Sequence, residues 1–83
     1  MRLSKHAKFR AEKFGGVLFE TRSEKVFALN PTAAAIVREI GDACDEPALI
    51  ERMRQRFEGS GGAIEREVGA FLAQLRTLEL LED

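Results

Sequence analysis

The chain predicts an α+β fold, a three-stranded antiparallel sheet followed by three helices in the order βββααα. Three observations predict it. Between Phe9 and Leu29, apolar residues alternate with polar ones or form short β-favouring runs. From Asn30 onward the apolar spacing becomes helical. The joints are short and carry Gly, Pro, Asn or polar clusters.

The first strand is carried by Phe9, Ala11 and Lys13, which alternate with Arg10 and Glu12. Phe14-Gly15-Gly16 then permits a tight turn or bulge, because glycine reaches positive φ at little steric cost. Val17-Leu18-Phe19 is the second strand, and polar Thr21-Arg22-Ser23-Glu24 is its hairpin loop. Lys25 to Leu29 is the third strand, with Val26 and Ala28 on one face and Phe27 and Leu29 on the other.

Asn30 is placed to cap a helix by accepting a bond from a free backbone N–H. Pro31 follows at the first helical position, where its missing N–H costs nothing. Ala33, Ile36, Val37 and Ile40 recur at helical spacing, and Gly41 is well placed to stop the helix. Asp45, Glu46 and Pro47 open a second helix, whose apolar face is Leu49, Ile50, Met53 and Phe57. Gly59-Ser60-Gly61-Gly62 ends it as a flexible joint. Ile64, Val68, Phe71, Leu72, Leu75 and Leu78 make a third helix, with Glu65 and Glu67 near its positive N-terminal end.

With 83 residues, a single domain spanning 1–83 is expected, too small for a deep pocket but large enough for a groove or a sheet edge. The hydrophobic share of 45% beside 33% charged residues excludes disorder. A net charge of -1 argues against a dedicated nucleic-acid binder. Residues 1–7 are expected as a flexible basic arm, the start of a stretch that carries Arg2, Lys5, Lys8, Arg10 and Lys13 against Glu12. A lone cysteine, Cys44, forms no internal disulfide and fits a reducing compartment. No apolar run approaches the roughly 20 residues that cross a bilayer, and no signal segment opens the chain, so the expected location is cytoplasmic, with no membrane partner.

The chemistry-bearing residues do not assemble into a catalytic or metal set. His6 and Cys44 lie in different segments, and no CxxC, HxxxH or HExxH spacing exists. Asp42, Asp45 and Glu46 lack the calcium-loop spacing and suit helix capping better. The glycine-rich joint lacks the lysine and hydroxyl of a phosphate loop, and Glu65 and Glu67 would repel an anion there. Arg52, Arg54 and Arg56 are three cations on the second helix, but Glu51 and Glu58 flank them, so a solvated charged face outweighs a DNA-reading helix. No enzyme, cofactor or metal is therefore expected. What remains is the sheet: at least one edge keeps unpaired N–H and C=O groups, and strand addition to such an edge is a standard mode of peptide recognition.

The strand pair Gly16-Val17-Leu18-Phe19 and Val26-Phe27-Ala28-Leu29, running into Asn30-Pro31-Thr32-Ala33, resembles the PqqD-like family of precursor-peptide recognition elements. Ile36, Ile40, Gly41 and Asp42 continue the resemblance, as do Leu49, Ile50 and Phe57, then Val68, Phe71-Leu72, Leu75 and Leu80-Leu81. It covers Phe14 to Leu81, and Phe14-Gly15-Gly16 is similar to the mycofactocin-type branch. One position departs: the family often has glycine after the third helix, where Glu79 stands, and a left-handed residue there costs about 1 kcal/mol.

The resemblance implies a winged-helix-like fold that binds the leader of a ribosomally made precursor peptide and delivers it to a modifying enzyme, often a radical S-adenosylmethionine protein. Carried onto this sequence, the pairing strand is Lys25, Val26, Phe27, Ala28 and Leu29. The groove wall is Glu67, Ala70, Phe71, Gln74 and Leu78 of the third helix. Two other functions compete: a winged-helix DNA-binding domain, which low net charge and strands placed before the helices disfavour, and a small structural or dimerising subunit. A monomer or weak homodimer fits either peptide-binding or structural use.

Overall fold

The computed structural model describes residues 1–41, 45–57 and 62–82. Asp42, Cys44 and the expected joint residues Gly59, Ser60 and Gly61 lie outside them. The elements are β1 (Arg2–Leu3), β2 (Ala7–Glu12), β3 (Gly15–Glu20), β4 (Lys25–Leu29), α1 (Pro31–Ile40), α2 (Glu46–Arg56), α3 (Ala63–Thr77) and β5 (Leu81–Glu82). β2, β3 and β4 form the expected antiparallel sheet in that order, and three helices follow.

The register separates two sheet faces. On the helix side, Leu18 sits between Phe9 and Phe27, and Gly16 between Ala11 and Leu29. Leu18 is 1% exposed and joins Ile36, Val37, Ile40, Leu49, Met53, Val68, Leu72, Leu75 and Leu80 in one core. Burying such side chains is the main stabilising term. On the other face Phe19 sits between Lys8 and Val26, and Val26 is 62% exposed.

β3 runs further than the apolar pattern predicts at both ends, whereas β2 begins earlier, at Ala7, but ends at Glu12, so Lys13 lies in the turn and not in the strand. Ala7 pairs with Glu20, and Glu12 with Gly15. The β2–β3 turn is Lys13-Phe14, and the positive φ falls on Gly15, at +142°. A Cβ there would collide with the Leu29 and Asn30 carbonyls, so glycine lets β3 pass close to the end of β4.

Residues 1–7, expected as a free basic arm, are placed instead as β1, a turn and the start of β2. Arg2 pairs with Glu82 and Leu3 with Leu81, while the Ser4 N–H donates to the Leu80 carbonyl at 2.9 Å. Met1 and Leu3 pack against the core, which gives this segment an apolar anchor that its charge count obscures. Two-residue strands are too short to show a period, so β1 and β5 leave no pattern in the sequence.

The helix ends follow capping chemistry. Asn30 Oδ1 accepts the Ala33 N–H at 2.8 Å, and Asp45 Oδ1 accepts the Ala48 N–H at 2.9 Å. Gly41 does cap α1, but with a right-handed φ of -50°, so it does not use its left-handed freedom. Glu79, by contrast, takes a left-handed φ of 60° just past α3. Among the described residues, no helix is long and apolar enough to cross a membrane.

Candidate functional site

The two edges of the main sheet differ in chemistry. β2 carries Lys8, Arg10 and Glu12 at alternate positions, which blunts it against further pairing. β4 carries one charge, Lys25, and is uncharged from Val26 to Leu29. Among the described residues no strand pairs with the outer side of β4.

Beside that edge lies a groove of about 460 Å³, bounded by β4 and α3. Its lining includes Leu18, Leu75 and Leu80 from the core, Val26, Phe27, Ala28 and Leu29 of β4, Phe71 and Gln74 of α3, and Leu78 just past the end of α3. Asn30 and Ala33 line it from the start of α1. A second recess of about 290 Å³ adjoins it, lined by Thr32, Ile36, Glu67 and Ala70 together with Asn30, Ala33, Phe71 and Gln74, which line both. The two make one groove from Leu78 to Glu67 along α3. A trough of mostly apolar side chains with polar groups at its rim, beside an open strand, suits an extended segment, whose backbone meets the edge while alternate side chains enter the trough.

The structure brings nine of the ten sequence-selected residues to this groove: Val26, Phe27, Ala28, Leu29, Phe71, Gln74 and Leu78 in the larger part, Glu67 and Ala70 in the smaller. Lys25 opens β4, is exposed, and lines neither part. Asn30, Thr32 and Ala33 also line the groove and are not among the sequence-selected residues. The available signal was that the cap of α1 follows β4 directly, which sets the first turn of α1 at the groove.

Glu20 fixes the hairpin at the groove's other end. Its carboxylate, in a residue only 6% exposed, accepts the Ser23 hydroxyl and the N–H groups of Arg22 at 3.0 Å and Ser23 at 2.8 Å. The Arg22 guanidinium adds a contact at 3.1 Å and reaches Glu79 at 3.8 Å. The Ser23 hydroxyl bond leads the causes that, against an opposing cost of burial, lower the Glu20 pKa from 4.5 to about 2.

The arginines of α2 are held by carboxylates. Arg52 and Arg56 both reach Glu39, at 3.6 and 3.0 Å, and Arg54 pairs with Glu51 and Glu65. Among the described residues, no group of three or more His, Cys, Asp or Glu could hold a metal ion.

The family described as "Coenzyme PQQ synthesis protein D (PqqD)" matches residues 15–81. Two solved structures share the fold. One, described as TbiB1 in complex with the TbiA(beta) leader peptide, is 20% identical with a TM-score of 0.85, over 99% of this chain and 95% of that one. The other, lasso peptide synthetase B1 complexed with the leader peptide, is 24% identical with a TM-score of 0.79, over 99% and 96%. No curated protein matches the chain.

Proposed function

We propose that this chain, which belongs to the PqqD family, binds the leader of a ribosomally made precursor peptide as an added strand on β4 and presents the peptide to a modifying enzyme. The observation that carries this reading is the uncharged edge Val26–Leu29, unpaired among the described residues, lying along a groove whose side chains are mostly apolar. The two fold neighbours, each described as bound to a leader peptide, support it.

The role is physical. Backbone bonds to β4 set the register of the leader with little dependence on its sequence, and the groove reads alternate side chains. Holding the leader raises the local concentration of the attached core peptide at the enzyme. The chain itself acts without catalysis or cofactor, as a monomer or weak homodimer in the cytoplasm, and the partner enzyme is of the radical S-adenosylmethionine class. The DNA-binding alternative loses support because the α2 arginines are already paired with carboxylates.

Backbone NMR of the labelled chain, titrated with the leader of the precursor peptide encoded beside its gene, tests the reading. Saturable shifts at Lys25–Leu29 and along the groove face of α3 are expected. A folded chain whose amides do not move at high peptide concentration overturns it for that peptide.

A further inference from the structure

The smaller recess of the groove has a composition the larger one lacks. Ala33, Ile36, Ala70 and Phe71 give it apolar walls, and Glu67 is the one charged residue lining it among those the structure describes. Glu67 is exposed, and among the described residues no cation stands within ion-pair distance of it. Its case differs from that of Glu65, two positions earlier on α3, which is paired with Arg54 of α2. The recess also offers the Thr32 hydroxyl and the Gln74 amide as further acceptors.

Such a site matches one kind of side chain. A long cationic residue lays its aliphatic stem on apolar walls and keeps its charged head at a polar rim. Here the stem would lie along Ala33, Ile36 and Ala70, with the head at Glu67. Phe71 adds an aromatic ring beside the cation's path, a contact that favours arginine over lysine, as does the two-pronged fit of guanidinium to carboxylate. An acidic residue in this recess would face Glu67, which among the described residues has no ion-paired cation to offset the repulsion.

We propose that the smaller recess is a cation-reading subsite: the segment bound along β4 places an arginine, or less favourably a lysine, against Glu67. This rests on the strand-addition reading above and specifies its ligand. Both existing strand pairs of the sheet are antiparallel. An added strand of the same sense runs from the Leu29 end of β4 toward Lys25, and the recess lies at the Leu29 end. The basic residue therefore precedes, in the bound peptide, the residues that pair with β4.

The test uses a displayed library of random dodecapeptides, selected in parallel on the full chain and on its Glu67→Gln and Glu67→Lys variants. Peptides selected on the full chain should carry Arg or Lys at a fixed position on the N-terminal side of an apolar pair. Glu67→Lys should replace that preference by Asp or Glu. The best peptide should bind Glu67→Gln about three- to fivefold more weakly, as befits an exposed ion pair, and that difference should shrink as salt rises. NMR shifts of Lys25–Leu29 with the selected peptide separate the two levels of the argument. Peptides that engage β4 but show no charge preference, or one unchanged by Glu67→Lys, overturn the subsite alone. Peptides that leave β4 unmoved, or no selected peptide at all, overturn the subsite together with the strand-addition reading.

Discussion

The Leu80 backbone N–H donates to the Leu75 carbonyl at 2.8 Å, closing the end of α3 around Glu79. The Glu79 N–H donates in turn to the Arg76 carbonyl at 3.0 Å. These are the paired bonds of a Schellman ending, and they require a left-handed residue between them. Glu79 supplies it at φ 60°, where a side chain is strained and glycine is not. Leu80 is fully buried beyond the turn, which explains why the strained ending persists. Glu79→Gly is expected to stabilise the chain by about 1 kcal/mol. The exposed contact with Arg22 that it removes is worth less. Urea unfolding of the two proteins checks this, and an unchanged or lower midpoint for the variant contradicts it.

The hairpin at Glu20 makes a prediction in pH. The folded-state pKa is lowered from 4.5 to about 2, so the carboxylate's hydrogen bonds contribute fully above pH 4.5. That contribution fades as pH falls from about 4.5 toward 2, because the unfolded chain then binds the proton more readily. The urea midpoint of the chain should therefore drop over this window. Glu20→Gln should be less stable at neutral pH and should show a shallower drop. Parallel slopes for the two proteins would remove Glu20 from the account of acid lability.

Which parts of this architecture were legible depended on length and on locality. The strands around Leu18 and Phe27 and the helices around Ile36, Met53 and Leu72 were legible, because each repeats a period over several residues. Asn30 and Asp45 were legible as caps because the partner N–H lies three residues away. β1 and β5 were not, since Leu3 and Leu81 meet from opposite ends of the chain and neither strand spans a full alternation. The groove was half legible. The resemblance nominates Phe71 and Gln74; Ala33, which stands with them along both recesses, is signalled only by the direct run of β4 into the α1 cap.

Adjacent glycines at the start of β3 should respond unequally to substitution. A Cβ at Gly15 would lie 2.6 Å from the Asn30 carbonyl carbon and closer still to the Leu29 carbonyl oxygen, at a φ of +142°. These contacts are all with backbone, which cannot yield as a side chain does, so Gly15→Ala should cost more than about 2 kcal/mol. A Cβ at Gly16 would meet chiefly the Phe9 ring, at 2.5 Å, and a half-buried side chain yields more readily than backbone. Gly16→Ala is expected to be the milder of the two. Thermal melts of both variants give the order, and a reversal would mean that β3 shifts away from β4 more readily than Phe9 rearranges.

Ala33 stands where the two parts of the groove meet, half-buried and lining both. Its backbone N–H is already fixed by the Asn30 cap, so a larger side chain there need not disturb the helix start. Ala33→Trp would fill the junction and obstruct an extended segment passing from β4 to Glu67. Leader affinity is expected to fall at least tenfold, or about 1.4 kcal/mol, while the melting temperature changes little because the new ring enters open space. Lys8→Ala, on the charged β2 edge, is the matching control and should leave affinity unchanged. Fluorescence anisotropy with a labelled leader peptide measures both. A folded Ala33→Trp variant of undiminished affinity would move the peptide out of this groove, and a loss confined to Lys8→Ala would move it to β2.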